Sequence, residues 1–263
     1  MQEPINKTQG DTPSTNTGAA LLTGAAILGG AALHAHAQAK STRAVSPPIT
    51  FEQIPGTGDI KVLNYALALE ILEANLYVQA LKRLTTGGTN ALNQTIVGLN
   101  VPSSDAFAQY LAEFGQVEAQ HRDFLKSALG ANAISNSVLK DARFDFNINS
   151  YSAETLLDLL IAVEDTGTNA YIGAVQKFTP GSQYLPTAAA IQGTEARHTA
   201  ALIVVRNRKY PSKRESPAPL ASENGGRDVV IREGAQKGLA ADPNTVLEGV
   251  SPFIVLASDT SAD

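Results

Sequence analysis

The sequence predicts an all-α protein, built as an antiparallel four-helix bundle with long loops and an irregular C-terminal extension. Between residues 59 and 210, four long segments repeat apolar residues at the three-and-four spacing of a helix. After Pro211, prolines and paired glycines recur and exclude another long helix. A chain of 263 residues, of which 43% are hydrophobic, can also bury the core that such a bundle requires.

The four helical segments have sequence signals for their starts and ends. The predicted helices span about residues 59–84, 105–129, 153–177 and 185–206. Ser103 or Ser104 is the predicted N-cap of the second helix and Gly130 its end, while Ser152 is the predicted N-cap of the third. Loops of roughly 20 residues separate the first three helices, which is longer than usual for helix–helix connections.

Composition divides the chain into four parts. The predicted parts are an export leader or N-terminal arm (1–39), an extended lead-in rich in proline and glycine (40–58), the bundle (59–210) and an irregular tail that docks on the bundle (211–263). Within the tail, the apolar stretch 246–256 is expected to dock as a strand or turn.

The N-terminal part has the pattern of a secretory leader. An apolar run of small residues, 18–33, precedes two overlapping Ala-x-Ala patterns, which predict cleavage after Ala37 or Ala39. This pattern predicts an extracytoplasmic protein, either periplasmic or secreted. The alternative is an uncleaved arm. Because the run is shorter than the roughly 20 residues that span a bilayer, no stable membrane span is predicted in the mature chain.

Composition also excludes several kinds of function. The chain has no cysteine, which excludes disulfides, iron–sulfur clusters, thiolate zinc sites and a thiol nucleophile. A net charge of −5 argues against a nucleic-acid partner. With no tryptophan and 6% aromatic residues, a stacking platform for single strands is not expected either.

Ionisable residues occupy the middle of the inward-facing stripe of every predicted helix, and the ends of each stripe are apolar. These residues are Glu70 and Glu73 on the first helix, Glu118 and His121 on the second, Glu164 on the third, and Glu195 and His198 on the fourth. Burying a carboxylate costs several kcal/mol unless its charge is compensated. Two divalent metal ions would balance four glutamates, and carboxylates together with imidazoles suit iron or manganese.

The spacing of the histidines supports a metal site. Both histidines outside the predicted leader, His121 and His198, follow a glutamate by three residues, so that each pair shares one helix face. Each pair alone is explained as well by a surface ion pair or a core histidine. Together with one glutamate from each of the other two helices, they match the ligand pattern of di-iron and di-manganese carboxylate bundles.

An internal repeat selects the ligand on the first helix. When 69–81 is aligned with 163–175, Glu70 matches Glu164 and Tyr77 matches Tyr171, whereas Glu73 matches Gly167. The two Glu-x-x-His segments match each other in the same way, which predicts two helix pairs related by a pseudo-twofold axis. The predicted metal ligands are Glu70, Glu118, His121, Glu164, Glu195 and His198. Glu73 is expected beside the site, either supporting a ligand or acting as a gate.

Two tyrosines lie seven residues after their glutamates, on the same helix face. Tyr77 and Tyr171 are explained either as core residues whose hydroxyls need a partner or as groups with a role at the metals. In the second case, each would donate a hydrogen bond that orients a ligand, or would act as a one-electron donor. The sequence leaves these alternatives open.

These motifs resemble those of the ferritin-like superfamily, and more closely those of ferritin-like domain proteins grouped with plant desiccation-related and microbial stress-response proteins. The similar segments are 62–74 (VLNYALALEILEA), 118–121 (EAQH), 195–198 (EARH) and 249–254 (GVSPFI). The resemblance covers roughly residues 58–255. It implies a ferritin-like bundle with a di-metal carboxylate centre, often exported and associated with stress.

Three functions are compatible with such a centre, so whether the protein is an enzyme stays open. The first is a redox enzyme that reacts with oxygen or peroxide in stress protection, with a manganese catalase as a variant. The second is a non-catalytic envelope or stress protein that the metals stabilise. The third is iron sequestration, which requires a closed oligomer; a homodimer is compatible with either of the others.

Overall fold

The computed structural model describes residues 48–211 and 240–256. These residues form five α-helices: α1 (Gly58–Leu84), α2 (Ala106–Leu129), α3 (Ala153–Val175), α4 (Leu185–Lys209) and α5 (Pro243–Val250). Four two-residue strands form two antiparallel pairs, β1 (Gly88–Thr89) with β2 (Thr95–Ile96) and β3 (Arg143–Phe144) with β4 (Ile254–Val255).

The predicted all-α class is confirmed, and none of these helices is long and apolar enough to cross a membrane. The predicted leader lies outside the described residues.

The start of α2 differs from the prediction. Asp105, and not Ser103 or Ser104, is the N-cap, and its carboxylate accepts a hydrogen bond from the Phe107 backbone N–H at 2.9 Å. Serine and aspartate are similarly good N-caps, but the negative charge of an aspartate also interacts favourably with the positive end of the helix dipole. Gly130 ends α2 as predicted, with a φ of +53° that glycine adopts readily.

The other long helices agree with the prediction to within a few residues. Ser152 caps α3 by accepting a hydrogen bond from the Thr155 backbone N–H, and α3 ends two residues early, at Val175. α4 continues three residues beyond its predicted end, to Lys209. No proline or glycine lies between the predicted end at residue 206 and Pro211, so no helix-breaking residue stops α4 earlier.

Contacts between helix ends show that neighbouring helices run antiparallel. Lys209, at the end of α4, binds the carboxylate of Asp105 at the start of α2 at 2.7 Å. Arg206, one turn earlier, binds Asp158 near the start of α3 at 2.5 Å. The middles of the four long helices are therefore brought to one level, which places their central residues together.

The tail contains a short helix that the sequence analysis did not predict. This helix, α5, begins at Pro243 with Asp242 as its N-cap, three residues before the stretch 246–256 that was expected to dock as a strand or turn, and it continues into that stretch. Proline at the first helical position after an aspartate is a helix-start signal, and it outweighs the breaker role of proline here. A strand follows as expected, since Ile254 in β4 pairs with Phe144 in β3.

One buried amide connects three segments of the bundle. Asn64, near the start of α1, donates to the carbonyls of Pro55 and Asn132 and accepts a hydrogen bond from the Ile134 backbone N–H at 2.7 Å. Its side chain is completely buried. Because Asn132 follows the end of α2, this contact also fixes α1 and α2 as antiparallel neighbours.

We therefore expect Asn64→Ala to lower the free energy of unfolding, by about 1–3 kcal/mol for each buried group that loses its partner. Asn75→Ala is the matched control, since Asn75 is half-buried and donates to the Ile71 carbonyl of its own helix. Chemical denaturation of metal-free protein measures both. Equal stability of the two variants would contradict the role assigned to Asn64.

Candidate metal centre

Six of the predicted residues meet in the middle of the bundle. Glu70 comes from α1, Glu118 and His121 from α2, Glu164 from α3, and Glu195 and His198 from α4. All four glutamates are completely buried. Each Glu-x-x-His pair lies on one face of its helix, so that both side chains point to the same level of the core.

The six side chains form two overlapping groups that could each hold a metal ion. One group contains Glu70, Glu118, His121 and Glu195, and the other contains Glu118, Glu164, Glu195 and His198. Within each group, one atom from every residue lies within 4.8 Å of the others. The two groups share Glu118 and Glu195, and a carboxylate has two oxygens with which it can serve both.

Glu118 shows this sharing directly. Its Oε2 lies 2.9 Å from His121 Nδ1, and its Oε1 lies 2.7 Å from His198 Nδ1. On the outer sides, Glu70 Oε2 and Glu164 Oε2 each lie 3.4 Å from the nearer histidine. Glu70 and Glu164 are therefore placed alike on the two sides of Glu118, as the internal repeat predicts.

The two tyrosines hydrogen-bond across the repeat. Tyr77 on α1 donates to Glu164 Oε1 on α3. In return, Tyr171 on α3 donates to Glu70 Oε1 on α1 at 2.5 Å. Each hydroxyl leaves the second carboxylate oxygen facing the nearer histidine. Of the alternatives that the sequence left open, the hydrogen bond to a predicted ligand is present in the structure.

A family model described as a ferritin-like domain matches residues 58–208, which is more than half of the chain. The chain belongs to the ferritin-like family. No curated protein and no solved structure gives a significant match. The matched segment runs from α1 to α4 and includes all six residues of the two groups.

The ferritin-like centre carries an excess of negative charge. Burial, together with the charges of Glu195 and Glu118, raises the pKa of Glu70 to about 8. Burial and the neighbouring carboxylates also raise the pKa values of Glu164 and Glu195 well above the ordinary range. Although burial opposes it, hydrogen bonding to Glu118, Glu195 and Glu70 raises the pKa of His121 to about 12. Each of these raised pKa values means that the folded protein stabilises the protonated form of the group, and so favours added positive charge at the centre.

The buried atoms without partners show that metal ions fit the site. Among the described residues, the buried side-chain atoms that have no hydrogen-bond partner include Glu70 Oε2, Glu164 Oε2 and both carboxylate oxygens of Glu195. Leaving a buried polar atom without a partner costs free energy, and native proteins rarely do so. All of these atoms belong to the two groups, so cations bound there would satisfy them together.

Phe114 covers one side of the centre, a role that the sequence analysis missed. Its ring stacks on the His198 ring at 3.9 Å between centroids, with an angle of 19° between the planes. Phe114 lies four residues before Glu118, so helical spacing placed it on the inward stripe, but that spacing could not show which ring it would meet. Among the residues that the structure describes, no aromatic ring stacks on His121, whose side chain is 13% exposed.

In metal-free protein, stability should fall as the pH rises from about 5 to about 8. Glu70 keeps its proton up to about pH 8 when folded but loses it near pH 4.5 when unfolded, so the folded state binds more protons between these values. The raised pKa of His121 acts in the same direction above pH 6.5. Thermal melts of EDTA-treated protein measure this slope, which Glu70→Gln should flatten. An unchanged slope in Glu70→Gln would contradict the assignment.

The tyrosine hydrogen bonds should strengthen metal binding. We expect Tyr77→Phe and Tyr171→Phe each to weaken Mn²⁺ binding by about 10-fold or more, as for other groups that orient metal ligands. Tyr110→Phe is the control, because Tyr110 contacts the Phe114 ring and lies outside both groups. Titration with detection of free Mn²⁺ by electron paramagnetic resonance measures the affinities. If all three variants bind alike, the hydrogen bonds do not position the ligands.

Proposed function

We propose that this ferritin-like protein binds two iron or manganese ions and is a redox enzyme that reacts with oxygen or peroxide. The observation that supports this most is the sharing of Glu118 and Glu195 between the two groups of ligand atoms. Shared carboxylates hold two ions close together, and a redox centre can then pass electrons through both. A single structural ion would need only one of the groups.

Each residue has a role that follows from its position. Glu118 and Glu195 would bridge the two ions, while Glu70 and Glu164 would each bind one ion from the outside. His121 and His198 would supply one imidazole to each ion. Four carboxylates balance the charge of two divalent ions, and oxygen and imidazole ligands suit iron and manganese.

The protein part of the centre holds and shields the ions. A bound pair of iron or manganese ions supplies the redox chemistry, since both metals change readily between divalent and trivalent states. Tyr77 and Tyr171 hold Glu164 and Glu70 in position through their hydroxyl groups. Phe114 covers the His198 side, and the partly exposed His121 side is the one from which small molecules would reach the centre.

Removing a ligand should lower the number of bound ions. We expect about two ions per chain in the wild type, and one or none in His121→Ala and Glu195→Ala, because Glu195 contributes to both groups. Glu113→Ala is the control, as Glu113 is exposed on the same helix as His121. Elemental analysis after Mn²⁺ loading and desalting gives the count. Full occupancy in both ligand variants would show that the ligand assignment is wrong.

The redox function is tested by loading Fe²⁺ without oxygen and then admitting oxygen or peroxide. A redox enzyme should give a visible ferric absorption band and then repeat the reaction over many cycles when reductant is present. A band that forms once and does not cycle would favour the alternative, a non-catalytic protein that the metals stabilise. A particle with the mass of a closed shell on size exclusion would favour iron sequestration instead.

The proposed setting is stress protection outside the cytoplasm. It is supported by the resemblance to the desiccation-related group and by the leader pattern in residues 1–39, which lie outside the described residues. N-terminal sequencing of the protein from its native cells tests this. A chain that starts after Ala37 or Ala39 would agree with export, and an intact N-terminus would contradict a cleaved leader.

A further inference from the structure

A pocket lies between the four long helices, beside one half of the metal centre. Ala66, which lines it, precedes Glu70 by four residues, and Leu125 follows His121 by four residues. Because α1 and α2 run antiparallel, both steps lead one helical turn toward the same end of the bundle. Tyr171 also lines the pocket, and its hydroxyl donates to Glu70. The pocket therefore lies next to the group of ligand atoms that contains Glu70 and His121.

The pocket is small and apolar. Its walls are almost entirely apolar, and the hydroxyl of Tyr171 is already engaged with Glu70. Its volume of about 10 Å³ is close to the least that can hold one molecule of the size of water. Of its lining residues, Phe124 is the most exposed, at 46%, whereas Tyr171 is buried. The pocket thus extends from the surface of α2 inward to a side chain that binds a predicted ligand.

The other half of the centre has larger side chains at the positions equivalent to this pocket. Both alignments of the internal repeat, that of Glu70 with Glu164 and that of the two Glu-x-x-His segments, extend by one or two helical turns to the residues that line it. The resulting pairs are Ala66 with Leu160, Ala188 with Leu111, and Ile191 with Phe114. In every pair the larger side chain belongs to the half that contains His198. Phe114, for example, stacks on the His198 ring instead of leaving space.

The room left by the smaller residues points to a ligand that is itself small and apolar. We propose that the pocket binds dioxygen and delivers it to the centre on the His121 side, so that dioxygen rather than peroxide is the oxidant. This inference rests on the proposed function, and it names which of the two oxidants the centre uses.

Dioxygen suits these walls better than hydrogen peroxide does. Dioxygen has no polar hydrogen, and an apolar solute gains free energy when it leaves water for an apolar site. Hydrogen peroxide has two O–H groups, and burying them between apolar walls costs their hydrogen bonds to water. Water is disfavoured for the same reason, since apolar cavities stay dry but take up xenon.

The reaction that would follow uses one molecule of dioxygen for each pair of ions. Dioxygen takes one electron from each of two ferrous ions and binds two protons, which gives two ferric ions and one hydrogen peroxide. The oxygen–oxygen bond is retained and two O–H bonds form. A pocket that holds a single small molecule is therefore sufficient for each reaction.

Xenon, an apolar atom that enters such cavities, tests the pocket without any reaction. Crystals of Mn²⁺-loaded protein are pressurised with xenon, and we expect one xenon peak bounded by Ala66, Leu125 and Ile191. Ala66→Leu and Ala188→Leu each place the residue of the other half in the pocket and should remove the peak. Ala189→Leu is the matched control, since Ala189 neighbours Ala188 on α4 and is exposed.

The same variants test the delivery of dioxygen. Fe²⁺-loaded protein, prepared without oxygen, is mixed rapidly with dissolved oxygen or with oxygen-free hydrogen peroxide, and the ferric absorption is followed in a single turnover. Ala66→Leu and Ala188→Leu should slow the reaction with oxygen by about tenfold or more, and that with peroxide by less than about threefold. Ala189→Leu should change neither rate. Circular dichroism and an unchanged ion count verify that each variant is folded and loaded.

The results that overturn the inference differ from those that overturn the proposed function. Absence of xenon from the wild-type pocket, or unchanged oxygen rates in both Ala66→Leu and Ala188→Leu, would overturn the inference. Equal slowing with oxygen and with peroxide would show that the pocket does not select dioxygen. In each case the wild type would still oxidise its ferrous ions, so the proposed function would stand. A wild type that binds Fe²⁺ but reacts with neither oxidant would overturn the proposed function, and the xenon peak would still decide whether the pocket takes an apolar ligand.

Discussion

The rest of the structure depends on the burial of negative charge in the middle of a helical bundle. Five glutamates (Glu70, Glu73, Glu118, Glu164 and Glu195) lie almost completely out of reach of water. Among the described residues, side-chain nitrogens of His121 and His198 lie within salt-bridge distance of four of them. Without cations, most of these carboxyls have to hold protons, which the raised pKa values reflect. Burying these carboxyls therefore costs free energy that the apolar core has to offset, and cations bound at the centre would lower that cost.

Antiparallel packing is what brings this charge to one place. The inward-facing stripe of each long helix is apolar at both ends, and contacts such as that of Lys209 with Asp105 hold the ends of neighbouring helices together. The glutamates and histidines in the middle of each long helix must then lie at the same level of the bundle. The tyrosine hydrogen bonds that cross between α1 and α3 make the two halves of the centre alike, whereas Glu73 and Gly167 make them differ. The scaffold is therefore nearly symmetric, and the pair of positions 73 and 167 is one of the places where its two halves differ.

Much of this arrangement follows from the sequence, because helical periodicity alone decides which residues face inward. The Glu-x-x-His pairs and the internal repeat predict the six residues that meet in the core. Helical periodicity could not predict contacts between helices. These are the stacking of Phe114 on His198, and the space at Gly167 that the carboxylates of Glu73 and Glu195 both border. The choice of cap was missed for a local reason, since neighbouring serines compete with an aspartate as N-cap. The helix α5 was missed because its proline was taken only as a breaker.

The most direct test of the central claim is anomalous diffraction from crystals of Mn²⁺-loaded protein, recorded near the manganese absorption edge. The account predicts two anomalous peaks in the middle of the bundle, one bounded by Glu70 and His121 and the other by Glu164 and His198, with Glu118 and Glu195 between them. A single peak, or peaks confined to the protein surface, would contradict it, and the buried carboxylates would then need another explanation.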